Sequence, residues 1–141
     1  MEETTKAKLC EIIERHEGFR QYVYRCPAGK WTVGIGRNLE DNGIDHDEAI
    51  MLLDSDLTKI ESELLREWPQ YMDLNPARQC VVFSMCFQMG VAGFMQFVSM
   101  RRHMEAAEYS DAAEHMIESL WHRQTPQRCE ELAVMMATGE F

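Results

Sequence analysis

Apolar residues recur along this chain in two periods, and the switches between them divide it. Leu9, Ile12, Ile13 and His16 repeat at helical spacing, which predicts a short amphipathic helix over residues 3–15. Residues 16–45 follow another rule. Tyr22-Val23-Tyr24 favours a strand, Cys26 is pushed out of the helical region by Pro27, and Pro27-Ala28-Gly29-Lys30 is a turn. The chain returns through Trp31-Thr32-Val33-Gly34-Ile35-Gly36. Alternation predicts that Trp31, Val33 and Ile35 form a core face, while Thr32, Gly34 and Gly36 form a bare face that an extended ligand can approach. Asn38–Gly43 reads as a polar loop closed by an Asn-Gly turn pair.

From Asp45 the period is helical again. Asp45 and Glu48 have capping-box spacing, and Leu53, Leu57, Ile60 and Leu64 stripe a helix over about 46–67. Trp68-Pro69 closes it. Asn75-Pro76 opens the next, with Asn as N-cap and Pro at the first helical position. Val82, Met85, Cys86 and Met89 form its buried stripe, and Gly90 is a C-cap. Short helices fit 94–106 and 110–120. Thr125-Pro126 starts the last helix, with Cys129, Leu132, Ala133 and Met136 inward and Gly139 at its end. The eleven methionines sit mostly at core spacing and read as packing rather than as a binding surface. The sum is an α+β chain, mostly helical, with a β-hairpin or small antiparallel sheet near its start.

Composition narrows the possibilities. At 141 residues the chain suits one domain. Its net charge of −10 argues against nucleic acid as the main partner and against stable association with an anionic membrane. Five cysteines in odd number, with no CxxC pair and no metal-ligand spacing, read as free thiols in a reducing compartment. The first residues lack the apolar core of a signal peptide and no apolar run approaches a membrane span, so cytoplasmic synthesis is expected. No metal and no cofactor are expected, and a monomer is.

The dense chemistry lies in HEGFRQYVYRCPAGKWTVGIGRNL. Eight residues separate Glu17 from Cys26, and five separate Cys26 from Thr32. Singly, each has a bland reading: a solvated Glu at a helix end, a half-buried Cys before a turn, a Thr in a strand. Together, and followed by Gly34-Ile35-Gly36, they resemble the active-site region of the phage-type lysozymes, endolysins with muramidase activity. That family carries Glu, eight residues, Asp or Cys, five residues, Thr and a GxG strand. Phe87-Gln88-Met89-Gly90, Val91-Ala92-Gly93-Phe94 and Trp121 through Phe141 extend the likeness to roughly nine-tenths of the chain.

The resemblance implies two lobes around a cleft: a small sheet lobe (about 16–45), a connecting helix (about 46–67) and a helical lobe (about 75–141), with helix 3–15 packing near the cleft. It implies hydrolysis of the β-1,4 bond between N-acetylmuramic acid and N-acetylglucosamine in bacterial peptidoglycan. Such cleavage needs an acid at the leaving oxygen and a group that activates water or stabilises the cationic sugar. By the family pattern Glu17 is the acid, Cys26 stands at the Asp position, and Thr32 orients the water. Phe87, Gln88 and Asn38 contact substrate. Arg128, a cation in the first turn of a helix where the dipole disfavours it, pairs with Glu17. Arg37 and Asp56 form a second, structural pair. The resemblance also implies a separate holin-type pore to reach the wall. Members from T-even phages are strongly basic, and this chain departs from them. Two other classes stay open: a thiol hydrolase with Cys26 as nucleophile and a histidine as base, and a non-catalytic sugar-binding descendant.

Overall fold

The computed structural model describes Met1–Phe141, which divide into two compact units, Met1–Met51 and Leu52–Phe141. The first unit opens with α1 (Glu3–Glu17), two residues longer than its apolar spacing predicts. Gly18, at φ 73°, ends it, and its N–H donates to Glu14 O. None of its residues is buried, so Leu9, Ile12 and Ile13 remain exposed. Strands β1 (Arg20–Arg25), β2 (Trp31–Gly34) and β3 (Arg37–Asn38) form an antiparallel sheet in that order. Tyr24 lies opposite Thr32, Arg25 opposite Trp31, and Thr32 opposite Asn38. The hairpin turn is closed by Gly29 N–H to Cys26 O (2.7 Å) and Cys26 N–H to Lys30 O (3.0 Å).

Three expectations for this unit need correction. The face assignment of β2 is reversed: Thr32 is 2% exposed, while Trp31 and Ile35 are 42% and 43% exposed. Alternation fixes which residues share a face, not which face gets covered. In a sheet this small no apolar layer buries the Trp31 ring, and the Arg25 guanidinium lies over it, 4.0 Å from its centroid. Next, the strand does not continue through Gly34-Ile35-Gly36 but stops at Gly34. Gly34 and Gly36 take φ 64° and 72°, and the chain turns there into β3. Last, the predicted polar loop contains a short helix, α2 (Leu39–Asn42), capped by Asn38 Oδ1 accepting from Asp41 N–H at 3.1 Å.

Helix α3 (His46–Glu67) begins as predicted. Asp45 Oδ1 accepts from Glu48 N–H and Glu48 Oε2 accepts from Asp45 N–H, both at 2.9 Å, completing the capping box. Along its apolar stripe, burial grows toward the C-terminus. Leu53 is exposed, Leu57 and Ile60 are half-buried, and Leu64 is fully buried.

The second unit is built of helices around one core. After a 3-10 turn at Pro69–Asp73 come α4 (Pro76–Met95), α5 (Val98–Glu105), α6 (Tyr109–Ile117), α7 (Leu120–Gln124) and α8 (Pro126–Thr138). Asn75 caps α4 by accepting from Arg78 N–H at 3.0 Å. Gly90, read as a C-cap, sits at φ 77° and breaks the helix there, although helical structure resumes to Met95. Val82, Met85 and Cys86 are buried as predicted, as are Cys129, Leu132, Ala133 and Met136. Helix α7 escaped the periodicity because it is five residues long; Ser119 caps it, accepting from His122 N–H at 3.3 Å. Thr125 precedes Pro126 as expected but does not cap α8; its hydroxyl donates to Trp121 O instead. No single helix is long and apolar enough to cross a membrane.

Candidate active site

The sheet unit contains a cavity of about 310 Å³ lined by Glu17, Arg20, Tyr24, Cys26, Pro27, Thr32, Gly36 and Asn38. Four of these eight, Glu17, Cys26, Thr32 and Asn38, are residues picked out from sequence.

Glu17 is the last residue of α1, and its side chain is solvent-exposed. Its carboxylate lies against Gly36, where a Cβ would stand 3.0 Å from Glu17 Oε2 and 3.3 Å from Cδ. Two demands therefore meet at Gly36. The turn needs a positive φ, and the carboxylate needs the space a side chain would fill.

Cys26 ends the first arm of the hairpin and is half-buried. The Lys30 N–H, directed at its sulfur across the turn, holds the thiol below its ordinary value; burial opposes this, and the Ala28 N–H and the Thr32 hydroxyl add to it. The turn thus forms a small cradle of donors for a thiolate. Thr32 is the one buried polar residue of the chain, and its Oγ1 donates to Lys30 O at 3.0 Å. The Glu–Cys–Thr spacing thus folds into one wall.

Asn38 lines the cavity, but much of its amide is committed to α2. Oδ1 caps the helix, and Nδ2 donates to Asp41 Oδ2 at 2.9 Å. Arg37 donates from Nε and Nη2 to Gly43 O and from Nη2 to Glu48 Oε2 at 2.9 Å. Asp56 pairs with Lys59 at 3.3 Å. Within its own unit the ion-pair partner of Arg37 is thus the capping-box glutamate, where the expected partner was Asp56; Glu48 begins α3 a few residues beyond the Gly43 turn that Arg37 already grips.

The remaining predicted residues belong to the helical unit. Phe87 is half-exposed and lines an apolar hollow of about 300 Å³ with Leu53, Leu57, Cys80, Phe83 and Ser84. Gln88 is held within its own unit. Its Oε1 accepts from Trp121 Nε1 at 2.9 Å, and its Nε2 lies 3.4 Å from Thr125 Oγ1. Arg128 is exposed in the first turn of α8.

Sequence reasoning missed Arg20 and Tyr24 as cavity residues. Strand alternation could not have found them together, because the register of β1 against β2 shifts between Arg20 and Tyr24. Sequence reasoning also missed a cluster in the helical unit. His103 Nδ1 meets Glu108 Oε2 at 2.7 Å, and ligand atoms of His103, Glu108 and Asp111 all lie within 4.8 Å of one another.

Comparison with known proteins decides the family. The profile described as phage lysozyme matches residues 14–134, most of the chain. The chain belongs to the phage lysozyme family. Among its relatives, the pre-baseplate central spike protein Gp5 of Enterobacteria phage T4 is 27% identical over 94% of this chain, which spans only 28% of that protein. A probable T4-type lysozyme of Dictyostelium discoideum is 24% identical, covering 94% of this chain and 95% of the relative. An endolysin of Acyrthosiphon pisum secondary endosymbiont phage 1 is 26% identical over 72% of this chain and 70% of the relative. Family membership implies glycoside hydrolase activity, and the match includes every residue of the sheet-unit cavity.

Proposed function

We propose that this protein is a muramidase that cleaves the β-1,4 bond between N-acetylmuramic acid and N-acetylglucosamine in bacterial peptidoglycan. The observation that supports this best is the meeting of Glu17, Cys26 and Thr32 at one cavity in a chain of the phage lysozyme family. Glu17 protonates the leaving glycosidic oxygen. A general acid must hold its proton until the transition state. Glu17 is exposed in the free protein, so the sugar chain itself supplies the desolvation when it covers the carboxylate. Cys26, whose thiol the turn N–H groups hold below its ordinary value, is the group that accepts a proton, in its ionised form, from water that Thr32 orients. Arg128 pairs with Glu17 between turnovers, and Phe87, Gln88 and Asn38 contact the sugars. The chain acts alone as a monomer, without cofactor. As an endolysin it is made in the host cytoplasm and reaches the wall through a holin-type pore.

The thiol-hydrolase reading loses support because no histidine lines the cavity that holds Cys26. A second reading of the biological role has one observation behind it: the spike protein carries its matching segment within a much longer chain. A protein found in purified particles rather than free in lysates would favour that role.

The test of the chemistry is turbidity loss of outer-membrane-permeabilised Gram-negative cells, with fragments identified by mass spectrometry. Wild type clears cells and frees new reducing muramic-acid ends. Glu17→Gln loses roughly 10²–10⁴-fold in rate while folding normally. Cut peptide cross-links, or walls bound but uncut, would overturn the assignment.

A further inference from the structure

We infer that Arg20 is a carboxylate-binding residue of this cavity, reading an acidic group of the substrate beside the scissile sugar. The inference rests on the muramidase reading for the identity of that substrate. Four cations lie between residues 20 and 38 of the sheet unit, and three are spent within the protein. Arg25 donates to Gly29 O at 2.7 Å, lies 3.8 Å from Glu40 and covers Trp31. Lys30 pairs with Glu40 and Asp41, both at 3.0 Å. Arg37 holds Glu48 and Gly43 O. Arg20 alone makes only a stacking contact, its guanidinium carbon 4.4 Å from the centroid of the Tyr24 ring.

That contact leaves the N–H groups of the fork without a protein acceptor while fixing the guanidinium on the ring face. Arg20 and Tyr24 both line the cavity of Glu17, Cys26 and Thr32, and Arg20 is the only cation among the lining residues. A planar, unspent fork suits a carboxylate, which it can grip through two parallel hydrogen bonds. The rest of the molecule gives such a site a purpose. At net charge −10 the chain is repelled as a whole by a polyanionic wall, so attraction must come from a local cation. Peptidoglycan offers carboxylates on its stem peptides, and on the lactyl groups of muramic acid where the peptide is missing.

The experiment measures wall binding in the Glu17→Gln background, where cutting does not intervene, with and without Arg20→Gln. Three substrates are used: native walls, walls whose carboxyls are converted to methylamides, and glycan strands stripped of peptide, which keep lactyl carboxylates only. Arg20→Gln weakens binding to native walls by roughly three- to tenfold and leaves binding to amidated walls unchanged. Arg20→Lys recovers part of the loss. An effect that persists on stripped strands assigns the lactyl group, and one that vanishes there assigns the stem peptide. Equal weakening on native and amidated walls overturns the inference, as does no weakening on either. Reducing-end release by wild type is scored separately. Its absence would sink the muramidase reading while the binding comparison still decides the role of Arg20.

Discussion

The two units of this protein are held together by different physics. Every buried hydrophobic residue, from Leu64 to Met136, belongs to the helical unit, where Phe94, Met85, Met100, Met116 and Met136 are at most 1% exposed. In the sheet unit a single residue, Thr32, is buried. There Phe19, Tyr22 and Val23 stand in solvent, and the order comes from turn hydrogen bonds, a capping box, positive-φ glycines and exposed ion pairs. The unit that holds the candidate chemistry thus has the least packing. Its geometry is set by directional bonds, which place a carboxylate or thiol without burying it. Substitutions in the two units should therefore fail in different currencies, stability in one and activity in the other.

The largest stability effect is expected from Phe94→Ala. Phe94 is fully buried, with its ring centroid 5.4 Å from that of Trp68. Removing it leaves a cavity and costs about 3–5 kcal/mol, read from urea unfolding. Val23→Ala, on the exposed sheet, should stay within about 0.5 kcal/mol. Comparable losses at both positions would mean that the sheet unit has a core after all.

Gly36→Ala strikes the opposite currency. At φ 72° an L-residue costs about 1–2 kcal/mol, and its Cβ would crowd Glu17 Oε2 at 3.0 Å. Displacing the proposed acid by even an ångström lowers the rate of wall cleavage by about 10²-fold. Gly29→Ala is the control, because Gly29 also has a positive φ, 79°, but nothing lies within 4 Å of the new methyl. It should lose stability and keep its rate. If both variants lose rate equally, backbone strain rather than contact with Glu17 is responsible.

The same contrast explains what could be read from the chain. Local hydrogen-bond codes were legible: Asp45 with Glu48 and Asn75 before Pro76 cap their helices as their spacing says. The stripes of α4 and α8 were legible because one large core covers them. The spacing of Glu17, Cys26 and Thr32 brings all three to one cavity because the hairpin turn is short and fixed. Where no core exists the pattern misled. Trp31 and Ile35 look like core residues, yet the three-stranded sheet leaves them exposed and buries Thr32. Arg37 takes Glu48 because both were already brought together by the Gly43 turn, a tertiary coincidence no period encodes. Arg20 was overlooked for a related reason: the absence of a partner is visible only once every neighbour is placed.

Cys26 offers a smaller effect, a displacement along the pH axis. Its thiol is held below its ordinary value of 9.0, chiefly by the Lys30 N–H. If the thiolate is the working form, the rate rises with pH as Cys26 ionises and falls away below that point. An Asp at this position ionises near pH 4. Cys26→Asp should therefore keep muramidase activity and carry its rising limb to lower pH, as pH–rate profiles would show. An unchanged limb would assign the titration to another group.

The smallest effect concerns the ion pairs that stand in for packing beside the site. Hydrogen bonds to Asp41 and then Glu40 raise Lys30 above 10.5, while Lys30 and then Asn38 lower Asp41 below 3.8. The raised base contributes stability that is complete below its ordinary value and is lost as pH climbs through the raised one. The lowered acid contributes stability that is complete above its ordinary value and is lost as pH drops through the lowered one. Both contributions are present across neutral pH, and both belong to exposed groups. At 1 M salt the Debye length falls to about 3 Å, so these pairs are screened, whereas apolar burial is not weakened. Amide exchange, corrected for intrinsic rates, should accelerate at residues 26–32 in high salt or below about pH 3.8 and stay constant in α4. Lys30→Gln should remove the salt response of the turn. If the turn and α4 lose protection together, the two units share one unfolding event, and the division between directional bonds and packing would describe their structure but not their energetics.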